Sequence, residues 1–354
     1  MMDLIPCLPD EIARECLTRV PYTHFCTVSA VCKGWKEELE SVQFHQRRKS
    51  GGLSRPIVVL TQAEPDRALG AVKCAAAHAY RLALLEPATG AWGKLPPVPG
   101  FSGGLPLFCQ CAGVGRKLVV IGGWNPTTWE VSKAVFVFDF VSGGWRRGGD
   151  MPGASRSFFA CASDSDRMVF VAGGHDEEKN ALKSAMLYDV AKDEWTPLPD
   201  MDRQRDECKG IFHAGRFLVI GGYSTEMQGR FERSAEAFDV ATWQWGQVEG
   251  DVLDIGSCPG TCVVGGEGKL YRCRAGHMAV SDGVTWRSVA ELPADIRVSP
   301  NVVTWQGKLL VIGMAKCGGP YGAYVLESPH YTWRKVRVPE EYSGHVQAGC
   351  CLEI

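Results

Sequence analysis

Six tryptophans recur through this chain at an interval that a stack of similar units explains best. Trp92, Trp145, Trp195, Trp245, Trp286 and Trp333 are separated by 53, 50, 50, 41 and 47 residues. Five of the six have a carboxylate six residues earlier: Glu86, Asp139, Asp189, Asp239 and Glu327. With 40 Asp and Glu among 354 residues, five coincidences in six are not noise. A second register runs alongside the first. The apolar runs at 117–121, 168–172 and 217–220 each end in a diglycine, Gly122-Gly123, Gly173-Gly174 and Gly221-Gly222. Self-similarity at about fifty residues marks units that bury their faces on their neighbours. Within a unit, the acid suits the turn between a third and a fourth strand, where its oxygens accept turn N–H groups. The tryptophan then packs its large face between adjacent sheets.

Diglycine followed by an acid-to-tryptophan hairpin resembles the kelch repeat, a four-stranded blade of a β-propeller. The resemblance is strong in the three central units. In two others Arg274-Ala275 and Gly313-Met314 stand where diglycine is expected, which leaves the local geometry there open. Asp282, four residues before Trp286, predicts a shortened hairpin. First strands are expected at 107–111, 158–162, 210–213, 261–264 and 302–305, five for six tryptophans. Residues 346–352 read as a first strand with no blade after it, while 56–97 hold a blade with no first strand before it. The two fragments complete one another, so blade 1 is expected to be closed by 346–352, which removes an open sheet edge.

Helical periodicity is confined to residues 8–44. Pro9 suits a first helical turn, and Asp10 and Glu11 sit where the helix dipole favours acids. Ile12, Cys16, Leu17 and Val20 then fall on one face, and Pro21 stops the helix. Phe25, Val28, Val31 or Cys32, Trp35, Leu39 and Val42 form a second set with Gly34 as a break, giving two or three short helices. Arg47, Arg48 and Lys49 read as a solvated helix end, and 51–55 as a linker. About forty residues without a metal or disulfide cannot bury enough apolar surface to fold alone. Their apolar faces need either the rest of the chain or a separate protein.

The order Leu8-Pro9, Leu17-x-x-Val20-Pro21, Cys32-x-x-Trp35 over residues 5–44 resembles the F-box. That resemblance implies that Leu8, Pro9, Ile12, Leu17, Pro21, Val28, Val31 and Trp35 form a docking face for the Skp-type adaptor of a cullin ubiquitin ligase. The fold expected is mainly β: a six-bladed kelch β-propeller over 56–354, preceded by a small all-α F-box over 1–50.

Other functions find little support. A formal net charge of -2 with both signs interspersed offers no basic field for nucleic acid or an anionic membrane. No apolar run approaches the roughly 18 residues of a membrane helix, and an acid replaces the basic start of a signal peptide. A soluble protein of the cytoplasm and/or nucleus is expected. Fifteen cysteines in such a chain should stay reduced. Cys109 with Cys111, Cys258 with Cys262 and Cys350 with Cys351 lack a second pair for zinc and read as small buried hydrophobes. The eight histidines, His24, His45, His78, His175, His213, His277, His330 and His345, show no ligand spacing or local carboxylate partner. Among kelch enzymes, the iron-dependent specifier proteins of glucosinolate breakdown carry E-x-x-x-D-x-x-x-H. Here Glu291 and Asp295 keep the first spacing, but Ser299 occupies the histidine position. No cofactor and no catalytic residue are expected.

Arg156, Arg205 and Arg297 stand 17, 16 and 16 residues before the glycine-turn positions 173, 221 and 313, and so occupy equivalent places. Either they face one mouth of the central channel and bind a partner bearing carboxylates, or each pairs with an acid of a neighbouring blade. The loops 175–183 and 223–233 add candidate contacts. As a whole the chain resembles plant F-box/kelch proteins, in particular the subgroup that recruits phenylalanine ammonia-lyase or response regulators to degradation. This implies the substrate-recognition subunit of a Skp–cullin–F-box ubiquitin ligase. The alternative is a kelch scaffold or metal-dependent kelch enzyme whose N-terminal helices merely pack on the propeller.

Overall fold

The computed structural model describes residues 4–65, 79–101, 103–283 and 285–354. His78 lies outside these residues. The N-terminal segment forms four helices, α1 (Asp10–Thr18), α2 (Phe25–Ser29), α3 (Lys33–Glu40) and α4 (Val42–Ser50). Strands begin at Pro56, and six four-stranded antiparallel sheets form the blades of a propeller. Blade 2 is typical, with strands Gln110–Val114, Lys117–Ile121, Val135–Asp139 and Gly144–Gly148.

Two devices close the ring. The first is strand exchange between the chain ends: Val346–Glu353 pairs with Pro56–Ala63 from Pro56 opposite Glu353 to Gln62 opposite Val346. The Arg55 and Ile354 backbones add a reciprocal pair of hydrogen bonds, at 2.6 and 3.0 Å. The second is the repeated tryptophan. Each indole N–H donates to a backbone carbonyl of the preceding blade: Trp145 to Pro96, Trp195 to Gly149, Trp245 to Pro199, Trp286 to Val252 and Trp333 to Glu291. Trp92 completes the circuit by donating to Arg337 of blade 6 at 2.8 Å. The spacing of this residue therefore reflects a latch that every blade needs.

Three of the five repeated acids act as turn acceptors, whereas Glu86 accepts from Thr89 Oγ1 and Glu327 from Lys308 and Arg334, so the expectation does not hold for the two glutamates. Asp139 Oδ1 accepts from Val141 N at 2.8 Å, and Asp189 and Asp239 do the same for the two N–H groups that follow in their own turns. Blade 5 corrects one expectation. Ser281 pairs with Trp286 just as Asp139 pairs with Gly144, so both turns enclose four residues. The hairpin is not shortened; the acid has moved into the turn and the tryptophan has moved one place toward it. Blade 5 is unusual instead at its 274 end, where a two-residue hairpin, Ala275 (φ 48°) and Gly276 (φ 79°), joins the second and third strands. In blade 6, Gly313 stays within its strand, opposite Gly322.

Diglycines end the second strands at the opposite face. The second glycine of each pair must have a positive φ and crosses the entry to the first strand. At Gly123, φ is 86° and a Cβ would lie 2.7 Å from the Leu107 carbonyl oxygen.

The helices correct three further expectations. Gly34 does not break a helix but lies in the first turn of α3, whose start is set by Cys32 at the N-cap. Helical structure continues to Ser50. Arg48 is not solvated: it is 2% exposed, donating to the carbonyls of Thr18, Val20 and Leu53 at 2.6–2.9 Å and lying over the rings of Phe25 and Phe44. Those carbonyls stand at helix ends without partners of their own, and a guanidinium can satisfy several at once.

Candidate functional site

Antiparallel blades put two kinds of connection on each face. First-to-second and third-to-fourth turns emerge on one face, and second-to-third and fourth-to-first loops on the other. The helices are seated on the former. Ser29 Oγ donates to the Val141 carbonyl at 3.1 Å, Arg116 Nη1 to the Glu40 carbonyl at 3.1 Å, and Tyr22 meets Phe140 edge-on. Leu17, Phe25, Leu39 and Phe44 share one apolar cluster with Ile57, Val59, Phe140 and Val141 of the propeller. The helices thus gain from the propeller the core they could not build alone.

This seating sorts the eight adaptor-face candidates. Ile12 and Val31 are 50% and 59% exposed, and Pro9 and Pro21 are exposed as well. Leu8, Val28 and Trp35 are half-buried, with Trp35 Nε1 donating to the Leu4 carbonyl at 2.6 Å. Leu17 is the exception. It is buried in the shared core, so its side chain packs inward and is not offered to a partner. Large apolar side chains left in water beside a filled core mark a surface that another protein can cover.

The opposite face carries the channel mouth, and here the arginine expectation needs correcting. Arg205 is 0% exposed: Nε donates to Glu236 Oε1 at 3.0 Å, Nη1 to the carbonyls of Gly221 and Ser234 at 2.7 and 3.0 Å, and Nη2 to Ser234 Oγ at 2.9 Å. Arg156 makes the equivalent tie in blade 3, to the carbonyls of Gly173 and Ser184 and to Ser184 Oγ. Burial draws its pKa down to about 10, which leaves it charged at neutral pH. Both clamp a diglycine end to the start of the third strand. Only Arg297 is exposed, paired with Glu291 at 3.0 Å. The three do not form one recognition cluster, because equal spacing fixes the backbone position and not the direction of the side chain.

What the mouth offers instead is a cavity of about 550 Å³ beside the short blade 5 hairpin, lined by Phe108, Thr261, Arg272, Arg274, Asn301 and Gln347 among others. Around the rim stand Trp129 and Met227, half-exposed. The two loops singled out from sequence touch there, with Thr225 Oγ1 accepting from Ala181 N at 2.8 Å.

One constellation has the form of a hydrolytic triad. Ser157 Oγ lies 2.8 Å from His175 Nε2, and His175 Nδ1 lies 2.8 Å from Asp206 Oδ2. Sequence reading missed the carboxylate because Asp206 comes from the next blade. All three side chains are buried, and Phe158 lies against the imidazole. A nucleophile must reach its substrate, and this hydroxyl faces no open site; the relay ties first-strand entries to a neighbouring loop. Glu291 is taken by Arg297, and Asp295 receives Tyr324 and Lys335, each at 2.9 Å. Among the described residues no group of three His, Cys, Asp or Glu side chains is placed to hold a metal. The cysteines are mixed: Cys109, Cys208 and Cys262 are buried, whereas Cys7, Cys16, Cys26, Cys32, Cys258 and Cys317 are exposed. No helix among the described residues is long and apolar enough to cross a membrane.

Comparison with known proteins separates the same two parts. The F-box domain family matches residues 5–47, and the KLHDC2/KLHL20/DRC7 Kelch-repeats domain family matches residues 109–277. Two proteins of Arabidopsis thaliana, F-box/kelch-repeat proteins At1g80440 and At1g15670, are each 49% identical to this chain, over 100% of it and 100% of their own length. A third Arabidopsis protein, F-box/kelch-repeat protein SKIP20, is 36% identical over 70% of this chain and 66% of its own length. Among solved structures, one described as the structure of YjhT aligns with a TM-score of 0.57 at 14% identity, covering 72% of this chain and 91% of that one, a likeness of fold alone.

Proposed function

The chain belongs to the F-box/kelch-repeat family, and on that premise we propose that it is the substrate-recognition subunit of a Skp–cullin–F-box ubiquitin ligase. The observation that carries the reading is the opposition of two surfaces. Exposed apolar side chains, Ile12 and Val31 foremost, lie on helices seated against one face of the propeller, and the channel mouth opens on the other. An adaptor bound to the helices leaves the mouth free for a protein substrate. Tethering the two raises the effective concentration of substrate lysines near the ubiquitin-carrying enzyme. The chain supplies proximity and no chemistry of its own, working without a cofactor in the cytoplasm and/or nucleus. Its resemblance to the plant subgroup makes phenylalanine ammonia-lyase and response regulators the first substrates to test.

The experiment is co-purification of adaptor and cullin from plant cells. Changing Leu8 and Pro9 to Ala should abolish it while the propeller stays folded. Undiminished co-purification would favour a scaffold whose helices serve only to pack on the propeller.

A further inference from the structure

The mouth is not uniform around its rim. Blades 2, 3 and 4 raise loops over residues 122–134, 173–184 and 221–234, whereas blade 5 turns back in two residues at Ala275 and Gly276. The first strand of blade 5 is also short, Val263–Val264, and follows a 3-10 turn at Pro259–Thr261. A low point in the rim results, and the cavity of about 550 Å³ opens beside it.

The charges at this notch are unbalanced. Among the described residues, two arginines line the cavity and no Asp or Glu does; the other titratable groups of that lining are His345, Cys258 and Cys273. One carboxylate outside the lining, Asp254, serves both guanidiniums: Arg272 Nη2 donates to it, and Arg274 Nε lies 3.0 Å from the same oxygen. Arg272 is 2% exposed and stacks on Trp286 at 4.2 Å, yet its Nε has no hydrogen-bond partner. Arg274 is half-exposed. Arg297, whose Nη1 would lie 3.5 Å from a Cβ at Gly276, brings a third guanidinium to the same hairpin. Phe108, from the far side, adds an apolar wall.

We propose that this notch takes an extended internal segment of a protein substrate and reads one Asp or Glu side chain in it. The carboxylate pairs with the exposed Arg274, which in the free protein shares Asp254 with the buried Arg272, and a neighbouring apolar side chain rests against Phe108. Guanidinium groups suit this task because their forked donors match a carboxylate. The proposal rests on reading the mouth as the substrate-holding face.

The test selects short peptides, displayed between constant flanks so that no chain end is free, on the full-length protein bound to its adaptor. The selected peptides should be enriched in Asp or Glu at one position. Changing that acid to its amide, or changing Arg274→Ala, should weaken binding about tenfold or more. Asp254→Asn, which removes the internal competitor, should strengthen binding instead, and this opposite sign separates recognition from misfolding. Arg216→Ala, at the first-to-second turn of blade 4 on the opposite face and paired there with Asp239, should leave it within about twofold. The proposal is overturned if no peptide is enriched, if acids are not enriched, or if only peptides with a free terminal carboxylate bind. Peptides that bind but ignore Arg274 and Asp254 overturn the notch and leave the mouth as the substrate face.

Discussion

Replacing Arg205 by Ala should be among the most damaging single changes in the propeller, and the structure allows its magnitude to be ranked against two controls. The guanidinium is fully buried and makes four hydrogen bonds, one of them to Glu236, whose side chain is equally buried. Without Arg205, Glu236 retains the backbone N–H groups of Asp202 and Arg203 but loses its counter-charge. Removing one partner of a buried ion pair costs about 3–5 kcal/mol. Arg156→Ala strands carbonyl and hydroxyl oxygens but no buried carboxylate, and should cost about 1–3 kcal/mol. Arg297→Ala breaks an exposed pair and should cost about 0–1 kcal/mol. Urea midpoints followed by tryptophan fluorescence would rank the three. Arg205→Met combined with Glu236→Leu should restore much of the loss, since no unpaired charge then remains inside. Equal midpoints for the three alanine variants, or a double variant worse than Arg205→Ala, would refute the assignment of Arg205 as a structural clamp.

Other expectations follow from the same geometry. Removing residues 346–354 uncovers the edge at 56–62 and exposes the sites of Val346, Leu352 and Ile354, all buried. At about 1.5–3 kcal/mol for each such side chain, melting temperature and solubility should both fall sharply; an unchanged melting curve would disprove closure by this strand. His45 in α4 has its pKa lowered to about 4 by burial and by Arg116. The fold therefore favours its neutral form, so stability is complete above the unfolded value near 6.5 and is lost as pH falls from there toward 4. The ceiling is about 1.4 kcal/mol per pH unit, reduced by solvent screening. His45→Gln should flatten the urea midpoint between pH 7 and 5 relative to the parent, and identical pH profiles would exclude His45 as the cause.

The legible parts of the sequence were those where one side chain has the same task in every blade. Trp145 and its five counterparts had to recur because each latches the preceding blade, and Asp139, Asp189 and Asp239 precede theirs because a four-residue turn needs acceptors. The closing strand could be read from an unmatched strand inventory at the two ends. Less legible were features that depend on residues distant in sequence. Arg48 looked solvated because its three carbonyl partners lie at Thr18, Val20 and Leu53. Leu17 fell on the same helical face as Ile12 by periodicity, but the propeller supplies the core that buries it. Arg156 and Arg205 showed their equivalence through spacing, while their inward direction depended on Ser184, Ser234 and Glu236. The notch at blade 5 was visible only as a missing diglycine, since a gap in a motif does not say whether a loop is altered or absent.

The most direct measurement is a titration of the purified chain with a purified Skp-type adaptor, comparing the parent protein with a variant carrying Ile12→Asp and Val31→Asp. Both side chains are at least half in water and neither belongs to the shared core, so the variant should melt as the parent does. An apolar contact at the centre of an interface can contribute about 2 kcal/mol or more, and burying an unpaired carboxylate there costs further. The parent should bind one-to-one, and the variant should lose at least about a hundredfold in affinity. Unchanged affinity in a folded variant, or no binding by the parent, would contradict it.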